Sequence, residues 1–510
     1  MAAGTRPTQG SEAERNAFEA LQQRLPRIFR EVFADPRAPR TVVVVPGLSL
    51  DQDVLAKVAG CRHYEERMLG MLMLLRLPNT RVVFLTSEPV APVVIDYYLS
   101  QLVGVPVAHA RQRLVLLSAH DASAQSLTRK LLDRPRLLQR VREAIGDPRD
   151  AHLSVFNATP DEVSLAVALD IPMYACDPAL AYWGGKSGSR RAFREAGIPL
   201  PDGAEDLHDL QQAAEAIVAL RARNPALRRV VLKLDQGFSG EGNAVLDLGA
   251  LAAGADAGAV HEALLRELRP EAEGLSIERY AKLFERHHGI VEAWVDGEGK
   301  RSPSVQVRIN PLGEAELISS HEQIMGGPTG QVFLGSSFPA DPAYARQLHG
   351  LSLRVADVLR ARGVLGRFSI DFLSVPGAAG GWEHHAIEIN LRKGGTTLPY
   401  QMLQFLTAGR YCAERGVFLT PMGAQRCYYA TDNLVNPDYR RLVPQDLIDI
   451  LVQHGLHFDQ TRQQGLVFNL IGALSEFGKL GMVAIAETTA QARELFDEAK
   501  ALLDREAARD

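Results

Sequence analysis

Three side chains that carry metal-binding oxygens stand on two neighbouring β-like runs of the sequence. Asp371 lies in the middle of the first run, and Glu388 and Asn390 follow in the second. A spacing of two places Glu388 and Asn390 on the same face of a strand. Mg²⁺ takes a few protein oxygens and keeps room for phosphate oxygens, so the set predicts a magnesium–nucleotide site. A solvated polar sheet face is the alternative, but it has no need of the cations that follow directly, Arg392 and Lys393.

Lys186 heads a predicted amphipathic helix and lies within the sequence GGKS. These letters resemble the end of a phosphate-binding Walker loop. However, Leu180 stands where that motif requires glycine, so the Walker interpretation fails. Lys186 is therefore either a phosphate-binding lysine outside that motif or a solvated lysine at the start of a helix.

A glycine-rich turn over residues 236–243 joins two β-rich runs, and Lys233 projects from the first run. The turn contains glycine at 237, 240 and 242, which lets the backbone approach a ligand closely and direct N–H groups at anionic oxygens. Lys233 would add a compact positive charge on a rigid strand. An ordinary hairpin with a glycine turn is the alternative, although a turn alone would not need three glycines and Ser239.

The segment 275–280 is predicted to be a short strand between two lobes, and it carries Glu278. A strand in this position can offer backbone groups to an adenine edge and a carboxylate to a ribose. Glu285 and Glu292 are the other candidates for the ribose contact. For each of the three, an ordinary surface carboxylate is the alternative.

The elements that position these residues indicate a multidomain chain of mixed α/β and α+β fold class. The acidic set lies on a predicted antiparallel hairpin, 367–375 with 384–391. Upstream, strands alternate with helices, which predicts a parallel α/β unit. The predicted units are an N-terminal extension 1–40, an α/β domain 41–180, a catalytic domain 181–400 with lobes 181–280 and 281–400, and a C-terminal domain 401–510.

Composition excludes several classes of protein. At 510 residues the chain should form two or more domains. A net charge of −5 with 23% charged residues provides no basic field for nucleic acid. The N-terminus lacks a signal-peptide pattern, and the longest apolar run, 68–77, is too short for a membrane span. Four scattered cysteines indicate reduced thiols, so a cytoplasmic protein is expected.

The order and spacing of the candidates resemble those of the ATP-grasp ligases over roughly 181–400. The residues that carry this likeness are Lys186, Lys233, Glu278, Asp371, Glu388 and Asn390. The wider chain is similar to the peptide ligases of the pheganomycin type, through HYEERMLGMLMLLRLP, TSEPVAP, KSGSRRAFREAGIPLP, GFSGEGN and NLIGALSEFGKLG. The resemblance implies a parallel α/β pre-ATP-grasp domain, a two-lobed ATP-grasp fold and a small C-terminal α/β domain.

The resemblance also implies ATP as cofactor, with Mg²⁺ or Mn²⁺. Asp371, Glu388 and Asn390 would hold the metal ion. Lys186 and Lys233 would meet the ATP phosphates, and Lys233 would also count as catalytic. Magnesium that bridges the β- and γ-phosphates offsets the charge that develops during phosphoryl transfer.

Further residues receive roles from the same resemblance. Ser239, Gly240 and Gly242 would close over the phosphates, and Glu278 and Tyr280 would lie at the adenine hinge. These five residues complete the nucleotide site that the family pattern predicts.

Arg392 would stabilise the transferring phosphoryl group or the tetrahedral oxyanion, a role worth roughly 3–4 kcal/mol per donor. One position departs from the family pattern. Some relatives that join amino acids place arginine two residues before the metal-binding aspartate, whereas this chain has Ser369 there and Arg367 two residues earlier. Arg308 is therefore a candidate for the second catalytic cation.

The implied reaction forms an amide. A carboxylate attacks the γ-phosphate of ATP, and an amine then displaces phosphate from the acyl phosphate. Candidates for binding the donor carboxylate or the acceptor are Arg308, His321 and Lys393, with the turn 394–397. The expected substrates are small-molecule or peptide acids and amines, such as amino acids and peptides of specialised metabolism, without nucleic-acid or membrane partners.

Two alternatives stay open at this point. A small-molecule kinase uses the same nucleotide machinery, and a non-catalytic scaffold would bind nucleotide only. The presence of all the charged candidates speaks against a scaffold, because a retired site usually loses ligands. The sequence also leaves the oligomeric state open, and a homodimer is one of the alternatives.

Overall fold

A computed structural model describes residues 7–49, 59–236, 242–272, 274–327, 330–377 and 380–508. Within these ranges the strands form four sheets, of four, five, eight and two strands. The candidate residues lie on or beside the sheets of four, five and eight strands.

The first sheet consists of parallel strands in the order β3-β2-β1-β4. Their bounds are β1 Arg40–Val45, β2 Thr80–Thr86, β3 Leu114–Ser118 and β4 Ala151–Val155. Val42 and Val44 face one hydrophobic core, and Val43 and Val45 face another, so β1 is buried on both sides. Burial on both faces explains why such strands read as continuous apolar runs, and it confirms the predicted parallel unit.

Helices cover both faces of this sheet. Their bounds are α1 Glu12–Gln22, α2 Leu25–Arg27, α3 Pro92–Ser100, α4 Val107–Gln112, α5 Leu127–Leu132, α6 Pro135–Ile145 and α7 Pro160–Leu169, with a π-helix Ile28–Phe33 and 3₁₀ helices Cys61–Arg76 and Pro148–Asp150. Residues 127–145 form two helices, α5 and α6, rather than one. Pro135 begins α6, because proline suits a first helical turn and not a helix interior.

The second sheet is antiparallel, in the order β5-β9-β6-β7-β8. Its strands are β5 Gly203–Leu207, β6 Arg229–Leu234, β7 Asn243–Asp247, β8 Arg269–Pro270 and β9 Gly289–Ala293. The associated helices are α8 Lys186–Glu195, which follows the 3₁₀ helix Pro178–Gly184, α9 Leu210–Arg223, α10 Ala257–Glu267 and α11 Ile277–His287. The hairpin predicted around the glycine-rich turn is confirmed as β6 and β7, although residues 237–241 of the turn lie outside the described ranges.

The strand predicted over 275–280 is wrong, because most of this segment belongs to α11. The Ser276 side chain caps the helix by accepting a hydrogen bond from the Arg279 N–H, and Glu278 follows in the first turn. Tyr280 and Phe284, four residues apart, form the buried stripe of this helix. Capping and helical periodicity therefore outweigh the short β-like composition.

The third sheet has eight strands in the order β14-β13-β10-β11-β12-β17-β19-β18. The strands after β9 are β10 Pro303–Ile309, β11 Ala315–Gly326, β12 Val332–Phe338, β13 Gly366–Pro376, β14 Trp382–Asn390, β15 Arg410–Cys412, β16 Val417–Leu419, β17 Cys427–Val435, β18 Gly465–Asn469 and β19 Lys479–Ala486, with β15 and β16 in a separate hairpin. The predicted hairpin of β13 and β14 is confirmed. The strand β9 belongs to the second sheet and not to this one, since it pairs with β5 and β6.

The C-terminal strands extend the third sheet beyond β12, through the pairing of β12 with β17. The remaining helices are α12 Pro342–Arg360, α13 Thr397–Thr407, α14 Pro444–Gln453, α15 Leu474–Phe477 and α16 Thr489–Ala507, with 3₁₀ helices Pro437–Arg441 and Ile471–Ala473. One hydrophobic core contains Val42 and Met68 from the first unit and Tyr428 and Ile485 from the C-terminal strands. The predicted domain limits stay predictions, and this core and sheet show how closely the units are joined.

Two further observations concern the described helices and the cysteines. Among the described helices, none is long and apolar enough to cross a bilayer. The four cysteines are free thiols, two of them buried.

Candidate active site

The β13–β14 hairpin brings the three predicted metal-binding side chains together. Asp371 lies directly opposite Glu388, and Ser369 lies opposite Asn390. Asp371 Oδ1 accepts a hydrogen bond of 2.6 Å from Ser304 Oγ on β10, and Oδ2 accepts one of 3.1 Å from Asn390 Nδ2. Side chains of β10 and β14, the two neighbours of β13, thus hold the Asp371 carboxylate in place before any ligand binds.

The electrostatics of this cluster favour a divalent cation. Burial, with the facing charge of Glu388 as the next cause, raises the pKa of Asp371 to about 6. Within the described ranges, no group of three or more His, Cys, Asp and Glu side chains is arranged to hold a metal. A metal ion here would therefore take two carboxylates and the Asn390 amide, and water or phosphate oxygens would complete its shell, as suits Mg²⁺.

Lys186 is the first residue of α8, which confirms the prediction that it heads a helix. Its Nζ lies 2.6 Å from Glu388 Oε1, and its side chain is 7% exposed. The helix is seated on β14, because Ser189 Oγ accepts a hydrogen bond of 2.9 Å from the Ile389 N–H. Asp235, which directly follows β6 of the second sheet, holds the same helix start by accepting hydrogen bonds from the Ser187 N–H and hydroxyl. Lys186 is thus placed between the two lobes.

Lys233 on β6 forms a buried ion pair. Its Nζ lies 2.7 Å from Glu292 Oε2 on β9, and Arg190 of α8 pairs with the other carboxylate oxygen. Burial opposes the charged form of Glu292, but Lys233 and Arg190 outweigh it and hold the pKa of this carboxyl below its ordinary value. Glu292 is therefore an ionised, fixed acceptor that keeps Lys233 in place.

These groups line one cavity of about 380 Å³ between the second and third sheets. The predicted site residues that line it are Lys186, Lys233, Asp371, Glu388, Asn390 and Arg392, and other charged side chains stand in its wall as well. Another part of the cavity is mainly apolar, with Val231, Val295, Leu373 and Ile387 around the backbone of 293–295. A flat base beside that backbone and phosphates at the lysines would match this distribution of surface.

The structure separates several predicted residues from this cavity. Glu278 and Glu285 are exposed on α11, and neither lines the cavity. Tyr280 is fully buried in the core behind β6 and β7, where its hydroxyl donates a hydrogen bond of 3.1 Å to the Gly242 carbonyl. The structure therefore does not bring Glu278 or Tyr280 to the cavity in which the predicted adenine hinge would lie. Glu292, the third ribose candidate, and the segment 293–295 after β9 do line it.

The glycine-rich turn is described only at its end. Gly242 lines the cavity beside Asn243. Ser239 and Gly240 lie outside the described residues, so their predicted roles stay predictions.

Arg308 lies apart from the metal candidates. On β10 it stands opposite Arg367, whereas Ser304, four residues earlier, stands opposite Asp371. Four residues along a strand correspond to roughly 13 Å. Arg308 is ion-paired with Glu316 and lines a second cavity, so the structure does not bring it to the predicted phosphate site.

The far end of the first cavity contains residues to which the sequence analysis gave no role. Arg67 Nη2 lies 2.6 Å from Asp432 Oδ2, and Lys479 Nζ donates a hydrogen bond of 2.9 Å to Tyr64 Oη. Tyr64, Arg67 and Lys479 stand in stretches that carry the family resemblance, HYEERMLGMLMLLRLP and NLIGALSEFGKLG. Their place in these two stretches was the sequence signal that could have identified them. The fold brings the two stretches together at one wall of the first cavity.

Comparison with known proteins agrees with this arrangement. The family described as "IQCH-like, ATP-grasp" matches residues 178–263 and 275–413, and the "PGM1 C-terminal domain" matches residues 446–498. The L-propargylglycine–L-glutamate ligase of Streptantibioticus cattleyicolor is 28% identical over 471 residues, which cover 91% of this chain and 94% of that ligase. These matches confirm the resemblance to ATP-grasp ligases of the pheganomycin type.

Two solved structures share the fold. An N5-carboxyaminoimidazole ribonucleotide synthetase in complex with ADP has a TM-score of 0.52 at 15% identity, over 92% of this chain and 98% of the synthetase. Biotin carboxylase from Campylobacter jejuni has a TM-score of 0.53 at 12% identity, over 92% of this chain and 95% of the carboxylase. At these identities the likeness concerns the fold alone, and it confirms the predicted mixed α/β and α+β class.

Proposed function

Because the chain is an ATP-grasp protein with a PGM1-type C-terminal domain, we propose that it is an ATP-dependent ligase that joins a carboxylic acid to an amine. One observation carries the proposal: a single cavity places Asp371 and Glu388 beside Lys186, Lys233 and Arg392. Two acids suit a metal ion and the three cations suit phosphates, as the activation of a carboxylate requires.

The residues divide the work of the first step. Mg²⁺ at Asp371, Glu388 and Asn390 would neutralise charge on the nucleotide phosphates. Lys186 at the start of α8 and Lys233 on β6 hold the phosphate oxygens, and the apolar part of the cavity excludes water from the base. A carboxylate oxygen of the donor forms a bond to the γ-phosphorus, the bond to the β–γ bridging oxygen breaks, and ADP leaves.

The second step forms the amide. The amine nitrogen attacks the acyl carbon, phosphate departs, and the amine loses a proton. Arg392, in the wall of the same cavity, stabilises the oxyanion by charge and hydrogen bonding. The name of the Streptantibioticus relative specifies two amino acids, so we propose amino acids or short peptides as substrates here too.

Release of ADP and phosphate tests this function. Purified protein with ATP and Mg²⁺ is offered pairs of acids and amines, and products are identified by mass spectrometry. The proposal requires phosphate release that depends on both substrates and a product with the mass of the amide. Phosphate transfer that is independent of the amine would identify a kinase instead.

Glu388→Gln tests the metal assignment. The change removes a charged ligand and the partner of Lys186, so we expect turnover to be abolished while the fold is kept. Glu383→Gln on the same strand is the matched control, because Glu383 is exposed, and it should keep wild-type activity. Circular dichroism checks the fold of both variants, and a fully active Glu388→Gln protein would remove Glu388 from the metal site.

A further inference from the structure

A second cavity of about 220 Å³ lies between the first sheet and the β13–β14 hairpin. The N-terminal part contributes Arg40, His152 and Tyr174 to its wall, and the third sheet contributes Arg308 and Arg367. Arg392 and Lys393, directly after β14, complete the wall. The cavity thus forms only where the two units meet.

The wall of this cavity is strongly positive. Its five cations are Arg40, Arg308, Arg367, Arg392 and Lys393, and no aspartate or glutamate stands among the described lining residues. Only Arg308 among them is ion-paired with a described carboxylate, Glu316. Cations that are partly withdrawn from water and outnumber the carboxylates among the lining residues are costly, so the arrangement favours an anion.

The titration behaviour of two of these cations agrees with this charge imbalance. Burial, and then the neighbouring Arg367, lower the pKa of Lys393 to about 7. Burial, and then the neighbouring Arg308, lower the pKa of Arg367 to about 10. A bound anion would offset both effects.

Unpartnered polar atoms cluster on the same wall. Five lining residues carry a buried side-chain nitrogen or oxygen without a hydrogen-bond partner in the described structure: Arg40 Nε, His152 Nδ1, Tyr174 Oη, Arg308 Nε and Gln401 Oε1. Buried polar groups are normally paired with protein, water or ligand. A polar ligand in this cavity would supply the missing partners.

Arg367 is held in position from behind. Its Nη1 donates a hydrogen bond of 3.1 Å to Gln306 Oε1, and Gln306 Nε2 lies 3.0 Å from Thr396 Oγ1 and 3.2 Å from His321 Nε2. His321, a candidate for substrate binding in the sequence analysis, is fully buried and does not line either cavity. It acts as a positioning residue behind Arg367.

The two cavities meet at Arg392 and Phe156, which line both. A molecule in the second cavity can therefore present a group to Arg392 beside the metal candidates. We infer that the second cavity binds a further carboxylate of the acyl donor, so that the donor is a dicarboxylic amino acid or a peptide that contains one. The inference rests on the proposed ligase function.

A donor series tests this assignment. Glutamate and aspartate are compared with glutamine, isoglutamine and asparagine, which each lack one carboxylate, in the assay of ADP release. Loss of one charge-assisted contact should lower kcat/KM by about 10- to 100-fold. Equal use of donors with one and with two carboxylates would overturn the inference while leaving the ligase function intact.

Arg367→Gln supplies the second arm. We expect the KM for the donor to rise by about 10- to 100-fold, with the KM for ATP unchanged, because Arg367 lines only the second cavity. Arg360→Gln is the matched control, since Arg360 is exposed at the end of α12 and pairs only with Asp357 within the described structure. An unchanged donor KM in a folded Arg367→Gln protein would overturn the inference. Arg308→Gln replaces Arg367→Gln if that variant does not fold.

Binding of glutarate without ATP separates the inference from the proposed function. Calorimetry should detect glutarate binding to the wild-type protein and its loss in Arg367→Gln. This result would support the anion site even if no acid and amine pair gave turnover. Binding of inorganic phosphate without any binding of glutarate would overturn the assignment to a carboxylate.

Discussion

At the scale of single residues, the surroundings of Lys393 in the second cavity determine its charge. Its Nζ donates hydrogen bonds to the Val155 carbonyl and, at 3.5 Å, to Ser154 Oγ, so the first sheet holds it. Arg367 and Arg308 face it from the third sheet, and Arg40 and His152 face it from the first. His152 is neutral, because burial lowers its pKa to about 3. Lys393 is thus the cation of this wall whose charge changes near neutral pH.

This environment predicts a pH dependence of donor binding. Lys393, with a pKa lowered to about 7, is charged below that pH and becomes neutral above it. The cavity therefore attracts an anion less as the pH rises, and we expect the KM for the donor to increase by about tenfold between pH 6 and pH 8.5. Steady-state kinetics at saturating ATP measures this dependence.

Lys393→Met is the control for that profile. The variant should have a higher donor KM that changes little over the same pH range. The reason is that the groups around this position, Arg40, Arg308, Arg367 and His152, keep their charge state over that range. A wild-type profile that is flat, or that falls with pH, would contradict the role given to Lys393.

At the scale of elements, α8 depends on a glycine at one position. A Cβ on Gly188 would lie 2.0 Å from the Tyr182 carbonyl oxygen and 2.6 Å from its carbon. Backbone atoms of the preceding 3₁₀ helix cannot give way as a flexible side chain can. Gly188 therefore lets α8 pack close to that helix, and this packing places Lys186.

Gly188→Ala should consequently lower the free energy of unfolding by about 1–3 kcal/mol and weaken ATP binding. Gly350→Ala is the matched control, because Gly350 lies within α12 with no atom within 4 Å of an added Cβ. That change should raise stability by about 0.5–1 kcal/mol through helix propensity and leave ATP binding unchanged. Thermal denaturation with and without nucleotide measures both. Equal stability of the two variants would show that α8 can shift freely.

The elements also show where sequence reasoning succeeded and where it could not. The β13–β14 hairpin was predictable, because two β-rich runs on either side of a Pro/Gly turn allow few other pairings. Asp371, Glu388 and Asn390 were therefore found together. The place of Glu278 was predicted wrongly, because the capping by Ser276 and the spacing of Tyr280 and Phe284 outweighed composition.

Other parts of the site depend on long-range contacts. Arg308 and Arg367 are neighbours only because β10 pairs with β13 in one register. The second cavity also requires His152 of β4 to lie beside these strands. No local sequence pattern predicts this contact between distant parts of the chain. The contact of Arg67 with Asp432 similarly joins parts of the chain that are far apart in sequence.

At the scale of the whole molecule, the C-terminal strands are part of the same sheet as the β13–β14 hairpin. Ser336, Ser337 and Phe338 of β12 pair with β17, and β17 pairs with β19. Phe338 stacks on Tyr428 with ring centroids 5.1 Å apart, inside the core that also reaches the first sheet. The third sheet therefore needs its three C-terminal strands, β17, β18 and β19, to cover the edge of β12 and to complete this core.

A truncation tests this dependence. A chain that ends at residue 413, where the ATP-grasp match ends, would expose the edge of β12 and the aromatic core. We expect this chain to be insoluble or to lack a cooperative thermal transition, whereas the full chain unfolds with one. Calorimetry and nucleotide binding are the measurements, and a folded, nucleotide-binding fragment would show that the C-terminal part is an independent unit.

The position of α8 has a consequence for how a nucleotide enters and leaves. Within the described residues, no strand pairing joins the five-stranded sheet to the eight-stranded one. The helix bonds to both, to β14 through Ser189 and to the smaller sheet through Arg190 and Glu292. A motion that widens the gap between the sheets has to act on this helix, because its first residue bonds to both sides: the Lys186 N–H donates to the Asp235 carbonyl, and Lys186 Nζ lies 2.6 Å from Glu388 Oε1. Lys186 therefore tethers the two sheets to each other, whereas Lys233 belongs to the smaller sheet alone.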